Sequence, residues 1–270
     1  MYIIAEIGIN HNGDINIAKD LIKKSAEAKC NAVKFQKRDI DSVYTKEELE
    51  SKRESPWGTT FRQQKEGLEF NESEYKDLEK FSESLGLDFI VSCWDLNSID
   101  FVEKNCNVKY HKVASALLTN DEFLQKLNST GKSVILSTGM SDSNQIEHAL
   151  QVLNNVEYIL ACTSTYPTKE DEVNLKYIST LKKLHPDYKI GFSNHYNGHD
   201  ACVGACVMEA ECIEFHVTQD RTMYGSDQSA SIEDISKLTD ALFKVSKMIG
   251  NGNKEVYQSE VPIIKKLRNT

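Results

Sequence analysis

The sequence predicts a single-domain α/β protein, a (β/α)8 TIM barrel. Short apolar runs alternate with amphipathic stretches almost to the end of the chain, and there are eight such runs. The runs are similar in length and apolarity, so none has the character of an edge strand in an open, doubly wound sheet. The 270 residues also suit one barrel, which typically takes about 250 residues.

The predicted strands are the apolar runs at 2–10, 31–37, 87–94, 110–115, 133–139, 156–163, 189–195 and 212–218. The predicted helices lie at 16–29, 72–85, 97–105, 120–130, 142–154, 173–184, 199–209 and 231–249. Asn71 and the pair Ser141-Asp142 precede two of these helices and are typical start signals. We expect the barrel over 1–250 and a short tail, 251–270, that forms no further element.

Residues 38–70 depart from this pattern, because they are polar and irregular and lie between the second strand and its helix. A long excursion at the catalytic face of a barrel is often a substrate lid. A solvated insertion without a role at the site is the alternative.

Composition limits the classes of function. Hydrophobic residues make up 40% and charged residues 27%, as in an ordinary globular protein, and the net charge is −9. A negative charge argues against nucleic acid or an anionic membrane as partner. The apolar N-terminus is interrupted by Glu6 and lacks the basic start of a signal peptide, and no run approaches the ~20 apolar residues of a spanning helix. We therefore expect a cytoplasmic protein.

The seven cysteines are odd in number and form no C-x-x-C motif. Most lie in apolar runs, which is typical of small, buried, reduced thiols. Cys202 and Cys206 are four residues apart on a predicted helix, but no second ligand pair accompanies them. A zinc site is therefore not expected there.

Two lysines, Lys34 and Lys112, lie inside apolar strands, where a lysine rarely occurs without an anionic partner. The active site of a barrel lies at the carboxyl ends of its strands. Three serines at strand ends could join the lysines in a cradle for phosphate or carboxylate: Ser115, Ser137 and Ser193. The alternative is that each lysine pairs with a core carboxylate such as Glu6 or Glu214.

Two histidines, His195 and His216, end neighbouring strands, which lie about 5 Å apart in a sheet. Both imidazoles can therefore reach one divalent transition metal with open positions, a Lewis-acid arrangement. The alternative is that they are satisfied core residues. His11 is a weaker candidate, and the remaining histidines are expected to be structural, at the surface or at helix ends: His111, His148, His185 and His199.

Seven motifs occur in chain order: "AEIGINHNGD", "VKFQ", "KVAS", "ILSTGM", "CTSTYPT", "GFSNH" and "EFHVT" followed by "DRTMYGSDQSAS". Together they resemble the sialic acid synthases, the N-acetylneuraminate synthase family of nonulosonic acid synthases. The resemblance runs from residue 2 to about residue 233 and includes nearly every strand end. Several motifs in the right order are far more specific than any one of them.

The resemblance implies a barrel that condenses phosphoenolpyruvate with the open-chain aldehyde of an N-acylated hexosamine such as N-acetylmannosamine. The products would be a 3-deoxy nonulosonic acid and phosphate. It implies Mn²⁺ or Mg²⁺ held by His195 and His216. The phosphoenolpyruvate pocket would comprise Lys34, Gln36, Ser92, Lys112, Ser115, Ser137 and Ser193. The catalytic residues would be Glu6, Lys112, Tyr166 and Asp227, and the sugar contacts would be Asn10, Tyr166 and Asp227.

This chemistry agrees with the polar residues at the strand ends. The enol C3 of phosphoenolpyruvate attacks the polarised aldehyde, water adds at C2, and a carboxylate such as Glu6 takes the proton of the water. The lysines hold the phosphate through its departure. The loop 225–231, "GSDQSAS", is expected to contact the substrate and then cap the last helix.

The sequence departs from the family pattern at several places. Leu117 stands where the family usually has an acidic residue, Ser164 where it often has asparagine, and Ser92-Cys93-Trp94 where it usually has Ser-Thr. Typical members continue into an antifreeze-like domain that reaches the other barrel of a homodimer, whereas this sequence ends at Thr270. We expect a homodimer, or a separate protein that supplies this domain. Alternative functions are a synthase for another 3-deoxy-2-keto acid from a non-acylated sugar, and a non-catalytic barrel that binds phosphosugar.

Overall fold

The eight predicted strands close into a parallel barrel, which confirms the predicted fold class. The structure, a computed structural model, describes residues 1–268 except for the side chain of Ser226. A separate two-stranded hairpin, β3 (Lys52–Ser55) and β4 (Gly58–Thr60), lies outside the barrel. The barrel strands, in their order around the barrel, are β1 (Tyr2–Gly8), β2 (Ala32–Lys37), β5 (Asp88–Cys93), β6 (Tyr110–Val113), β7 (Ser133–Ser137), β8 (Val156–Cys162), β9 (Lys189–Asn194) and β10 (Cys212–His216).

Helices follow the barrel strands as predicted, with ends that differ by a few residues. They are α1 (Ile15–Glu27), α5 (Glu72–Ser84), α6 (Leu96–Asn105), α7 (Asp121–Ser129), α8 (Ser143–Val152), α9 (Lys176–Leu184), α10 (Asp200–Val207) and α11 (Ile235–Ile249). Asn71 and Asp142 are the N-caps of α5 and α8, and each caps through its side chain. The two start signals in the sequence are therefore confirmed.

The prediction that the 225–231 loop caps α11 is wrong. Asp234 is the N-cap, and its side chain accepts a hydrogen bond from the backbone N–H of Lys237. The loop instead forms a 3-10 turn, Ser226–Ala230, and the chain then becomes extended. Ile232 donates its N–H to the carbonyl of His216 at 2.8 Å, so these residues bridge to the end of β10 before the helix can begin.

The barrel interior changes from apolar to polar along the strands. Its lower part is filled by a cluster of Ile4, Ala32, Ile90, Tyr110, Ile135, Tyr158, Leu160 and Cys212. Because side chains alternate in a strand, the residue two positions further along points to the same interior. Those next residues line a cavity: Glu6, Lys34, Ser92, Lys112, Ser137 and Glu214. The apolar cluster thus closes the bottom of the cavity, and polar side chains line the interior further along the strands.

The expectation that residues 38–70 are irregular is wrong. They form α2 (Ile40–Val43), α3 (Lys46–Glu50), the hairpin β3 (Lys52–Ser55) and β4 (Gly58–Thr60), and α4 (Phe61–Leu68). Thr60 and Gln63 form a capping box at the start of α4, a local signal that the sequence carries. Gln64 Nε2 donates to the hydroxyl of Tyr224 at 2.9 Å, and the Trp57 ring meets the Tyr224 ring edge-on. The segment therefore packs onto the loop that follows β10.

The expectation of a tail without further structure is also wrong. A 3-10 turn, Gln258–Glu260, leads into the short helix α12 (Val261–Leu267). The N–H of Tyr257 donates to Glu260 Oε2 at 2.9 Å, and Pro262 stands in the first turn, where a missing N–H costs nothing. Among residues 1–268, no helix is both long enough and apolar enough to cross a bilayer.

Two glycines with nearly the same φ angle offer a matched test of packing between the segment 38–70 and the barrel. Gly13 has φ +70°, and a Cβ there would lie 2.0 Å from the carbonyl oxygen of Gly67. Gly131 has φ +72°, and a Cβ there would meet nothing within 4 Å. Gly131→Ala should lower the free energy of unfolding by about 1–2 kcal/mol, the cost of a left-handed alanine. Gly13→Ala should lower the free energy of unfolding by roughly 1–3 kcal/mol more, because the backbone at Gly67 must move to admit the new Cβ.

Urea denaturation of both variants measures the difference. Equal losses would show that the contact between the Gly13 turn and Gly67 is not tightly packed.

Candidate active site

The polar strand ends meet in one cavity of about 260 Å³ at the carboxyl end of the barrel. Eleven of the predicted site residues line it: Glu6, Lys34, Gln36, Ser92, Lys112, Ser115, Ser137, Tyr166, Ser193, His195 and His216. The lining also includes Trp94, Ala114, Ala116, Met140, Ser164 and Glu214. Asn10 and Asp227, which were also predicted as site residues, lie near the cavity but do not line it.

Two lysines and two carboxylates form a buried charge cluster at the base of the cavity. Lys34 Nζ lies 2.8 Å from Glu6 Oε2 and 3.9 Å from Glu214 Oε2, and Lys112 Nζ lies 4.0 Å from Glu214 Oε1. None of these four side chains exposes more than 5% of its surface. The lysines therefore pair with core carboxylates, as in the second alternative drawn from the sequence, and they also line the cavity. A cradle for phosphate or carboxylate stays a prediction.

The cluster sets the charge state of its members. Burial alone would raise the pKa of Glu214, but the charges of Lys112 and Lys34 lower it to about 2. Burial opposes the charge on Lys34, yet Glu214 and Glu6 outweigh it and raise the Lys34 pKa. Burial lowers the pKa of Lys112. The charge of Glu214 offsets this effect only in part, and the charge of Lys34 lowers the pKa further. Of the two lysines, Lys112 thus has the weaker balance of negative charge around it.

Serine hydroxyls hold the cluster in place. Ser137 Oγ accepts a hydrogen bond from Lys112 Nζ at 2.5 Å, and Ser193 Oγ donates to Glu214 Oε1 at 2.9 Å. Ser92 Oγ donates to the backbone carbonyl of Lys112 at 3.2 Å. These serines come from three different strands, so the barrel closure itself brings them to the two charged groups.

A glycine after β7 makes room for two further hydroxyls. The N–H of Gly139 donates to Ser115 Oγ at 3.1 Å. A Cβ on Gly139 would lie 2.1 Å from Ser164 Oγ and 2.8 Å from Ser115 Oγ. Only glycine therefore allows Ser115 and Ser164 to approach this backbone together.

The histidines of β9 and β10 face each other beside the charge cluster, with ring centroids 5.3 Å apart. His195 Nδ1 lies 2.8 Å from the carbonyl oxygen of Thr163, and its Nε2 lies 2.9 Å from the Tyr166 hydroxyl. A neutral ring with its proton on Nδ1 satisfies both contacts, since the carbonyl can only accept. The Nε2 lone pair then accepts from the Tyr166 hydroxyl, and a metal bound at Nε2 would replace that hydrogen bond. A proton held on Nδ1 by a backbone carbonyl is the arrangement of a metal-binding histidine.

His216 has an unsatisfied ring nitrogen. Within residues 1–268 its buried Nδ1 finds no hydrogen-bond partner, and Asp227 Oδ2 lies 3.8 Å away. Burial lowers the pKa of His216, which favours the neutral form that a metal requires. The described part of the chain contains no group of three His, Cys, Asp or Glu side chains placed to hold an ion. The two imidazoles thus fit a metal as a pair of ligands, with other positions open.

Tyr166 forms the outer wall beside the histidines. Its side chain is 42% exposed, but its hydroxyl turns inward to His195. Burial of that hydroxyl, together with the charge of Asp227, raises the Tyr166 pKa well above its ordinary value. Tyr166 therefore keeps its proton and stands in the cavity as a donor.

Asn10 ties loops together next to the cavity. Its Nδ2 donates to the carbonyl oxygen of Val217 and to Ser231 Oγ, both at 2.8 Å. These contacts fix the start of the loop that carries Asp227. A direct contact between Asn10 and a sugar stays a prediction.

Cys162 is a site residue that sequence reasoning missed. All seven cysteines are free thiols, and six are buried as expected, whereas Cys162 is only half-buried. Its Sγ lies 3.7 Å from His195 Nδ1. Burial opposes ionisation of the thiol, but the charge that His195 carries when it is protonated lowers the thiol pKa to about 7. Cys162 stands two residues after the inward-facing Leu160, so strand alternation could have indicated it.

The other histidines have structural contacts. His11 stacks on Phe70 with ring centroids 4.2 Å apart, and burial lowers its pKa to about 3. His111 Nε2 lies 2.8 Å from Glu103 Oε1. His111, expected to be structural, thus pairs with a carboxylate, and His11, the weaker candidate, stacks on a core ring.

Comparisons with known proteins show the family of the chain. The sequence profile of the NeuB family matches residues 21–254. The N-acetylneuraminate-9-phosphate synthase of Homo sapiens is 34% identical over 273 residues, which span 98% of this chain and 76% of that protein. The N,N'-diacetyllegionaminic acid synthase of Legionella pneumophila is 34% identical over 275 residues, 97% of this chain and 77% of that protein.

A solved structure has the same fold over the whole chain. The crystal structure of N-acetylneuraminic acid (sialic acid) synthetase from Leptospira borgpetersenii, in complex with citrate, superposes with a TM-score of 0.82 at 31% identity. The match covers 100% of this chain and 93% of that one. On this evidence the chain belongs to the NeuB family and is an enzyme, a transferase of the synthase kind that forms carbon–carbon bonds.

Proposed function

We propose that this enzyme condenses phosphoenolpyruvate with an open-chain sugar aldehyde to give a 3-deoxy nonulosonic acid and phosphate. The observation that carries the proposal is the convergence of Lys34 and Lys112 on one cavity beside the imidazoles of His195 and His216. The named relatives support the product class, since one makes N-acetylneuraminate 9-phosphate and another N,N'-diacetyllegionaminic acid.

Phosphoenolpyruvate would occupy the base of the cavity. Its phosphate and carboxylate need cations in a water-poor site, where charge-assisted hydrogen bonds are strong. Lys112 is the better counter-ion, because Glu214 is its only close carboxylate, at 4.0 Å, among the ion pairs of residues 1–268. Hydroxyls of Ser115, Ser137 and Ser193 line the same region.

The proposed reaction makes one carbon–carbon bond and breaks one carbon–oxygen bond. The electron pair of the enol double bond forms a new bond between C3 of phosphoenolpyruvate and the aldehyde carbon. C2 becomes electron-poor as a result. The oxygen of a water molecule bonds to C2, and one of its protons passes to the Glu6 carboxylate. The bond from C2 to the phosphate oxygen then breaks, phosphate leaves with the electron pair, and the hydroxyl on C2 gives up its remaining proton to become the ketone. Of the two protons of the water, one ends on the former aldehyde oxygen, which becomes a hydroxyl, and the other ends on the phosphate.

The walls of the cavity are suited to these steps. Glu6 is buried next to Lys34 and stands in register with His216 on the adjacent strand. The Tyr166 hydroxyl is a donor beside the histidines, where the aldehyde oxygen would lie. Asp227, 3.8 Å from His216, would contact the hydroxyls of the sugar.

His195 and His216 would hold the divalent ion, Mn²⁺ or Mg²⁺, that the resemblance implies. Such an ion supplies Lewis-acid polarisation of a carbonyl oxygen. The orphaned Nδ1 of His216 and the carbonyl-oriented ring of His195 are the features of this chain that fit it.

A non-acylated acceptor sugar is the second candidate. Leu117 packs against the hydrophobic core outside the cavity, so the acidic group expected at that position from the family pattern is not supplied there. Ser164 lines the cavity where the family often has asparagine. These changes affect the part of the site expected to bind the sugar. Both lysines and both histidines are present, which argues against a non-catalytic barrel.

The homodimer and a partner that supplies an antifreeze-like domain stay predictions.

Phosphate release tests the proposed function. The Mn²⁺-loaded protein is incubated with phosphoenolpyruvate and one aldose at a time: N-acetylmannosamine, its 6-phosphate, mannose, a diacetamido-trideoxyhexose or arabinose 5-phosphate. We expect release with one acceptor class and none without sugar, because water needs the electron-poor C2 that the first bond creates. Release without any sugar would indicate a phosphatase, and no release with any acceptor would contradict the synthase.

The metal pair is tested by His216→Ala, with the exposed surface histidine variant His148→Ala as control. We expect His216→Ala to lose bound Mn²⁺ and to lower turnover by about a hundredfold or more, as loss of a metal-orienting group commonly does. Mn²⁺ binding is measured by calorimetry and electron paramagnetic resonance, and folding by thermal melting. Unchanged Mn²⁺ binding with a lower melting temperature would make His216 a core residue instead.

A further inference from the structure

Arg38, the residue after β2, stands behind the cavity wall and holds two of its members. It is 9% exposed, and its Nη2 donates to Gln36 Oε1 at 2.5 Å. Its guanidinium carbon lies 4.3 Å from the ring centroid of Trp94. Nη1 lies 3.9 Å from Glu69 Oε1, at the end of α4. Gln36 and Trp94 both line the cavity, so Arg38 contacts the wall from outside.

Four side chains, those of Arg38, Gln36, Glu6 and Lys34, follow one another in a row of polar contacts. Their hydrogen-bond donors and acceptors admit one arrangement. Arginine can only donate, so the Gln36 atom that faces it must be the carbonyl oxygen. The amide NH₂ of Gln36 must then face the other way, where it donates to Glu6 Oε1 at 2.8 Å. The second oxygen of Glu6 faces Lys34 Nζ at 2.8 Å, and an ammonium also only donates. Both Glu6 oxygens therefore face donors, and the ionised carboxylate is the form that fits.

A glutamine amide can turn over. The Glu6 carboxylate accepts from the NH₂ end, and Arg38 holds the oxygen end from the opposite side, so Arg38 strengthens the preference for this direction. The reversed amide would place an oxygen against Glu6 Oε1, and the two oxygens would repel each other. A Glu6 carboxylate pushed from its place beside Lys34 would be less well placed to take the proton of the attacking water.

We infer that Arg38 is a positioning residue of the reaction: it fixes the Gln36 amide and, through that amide, the Glu6 carboxylate. The inference rests on the proposed function, in which Glu6 takes the proton. It also connects the site to residues 38–70, because Glu69 of that segment pairs with both Arg38 and Lys37, the latter at 2.8 Å.

Arg38→Gln is the informative variant, because its amide can donate or accept and so cannot dictate the direction of Gln36. We expect kcat to fall by roughly tenfold to a hundredfold, as for other groups that orient a reacting residue, with KM for phosphoenolpyruvate unchanged. Arg38→Lys should recover most of the lost kcat, because an ammonium also only donates. A rise in KM without loss of kcat, or no recovery with lysine, would overturn the inference.

A double-mutant cycle with Gln36→Met separates this role from a general effect on folding. If Arg38 acts through Gln36, Arg38→Gln should have little further effect on kcat once Gln36 is methionine. Equal fold-losses in both backgrounds would show that Arg38 acts by another route and would overturn the inference.

A readout without turnover keeps this test apart from the proposed function. The side-chain amide signal of Gln36 in a ¹⁵N spectrum is assigned by its disappearance in Gln36→Met. In the wild-type protein we expect slow hydrogen exchange at this amide, and in Arg38→Gln at least about tenfold faster exchange, since the fixed hydrogen bonds are lost. Equal exchange rates would overturn the inference even if the acceptor sugar were still unidentified.

Discussion

The site depends on a buried cluster of two lysines and two carboxylates. A lysine that is charged and buried needs close counter-charges, and Glu6 and Glu214 supply them at the base of the cavity. Removing one member of such a cluster would leave an uncompensated charge, which costs about 3–5 kcal/mol in buried pairs. The pairing keeps the cations in place in the folded protein, where an anionic substrate can share them.

The barrel explains why these four residues meet. They come from β1, β2, β6 and β10, and each stands two residues beyond an apolar side chain of the interior cluster. Strand alternation therefore turns all four charged side chains to the same interior as the apolar cluster. His216 lies two residues after Glu214 on β10, in register with Glu6 of β1, and His195 lies beside it. Strand alternation and register thus bring the imidazoles next to the charged groups.

Periodic features were predictable from the sequence, and features that depend on distant contacts were not. Eight apolar runs gave the strands, and the polar residues at their ends gave most of the cavity wall. The fold of residues 38–70 was missed because its helices are short and rely on capping boxes and on Trp57 packing over Gly67. Arg38 was missed because its role arises from Gln36 and from Trp94 of another strand end. Cys162 was grouped with buried thiols, although its strand position turns it toward His195.

The central claim is that the buried lysines bind phosphoenolpyruvate, and calorimetric titration of Lys112→Met tests it most directly. Lys109→Met is the matched control, because Lys109 lies at the opposite end of β6 and pairs with Asp88 on the surface. We expect Lys112→Met to bind phosphoenolpyruvate at least about tenfold more weakly, since a hydrogen bond to a charged group contributes about 1.5–3 kcal/mol. The control should bind it as the wild-type protein does. Equal affinity for wild type and Lys112→Met would contradict the account, because the cavity would then not be the phosphoenolpyruvate site.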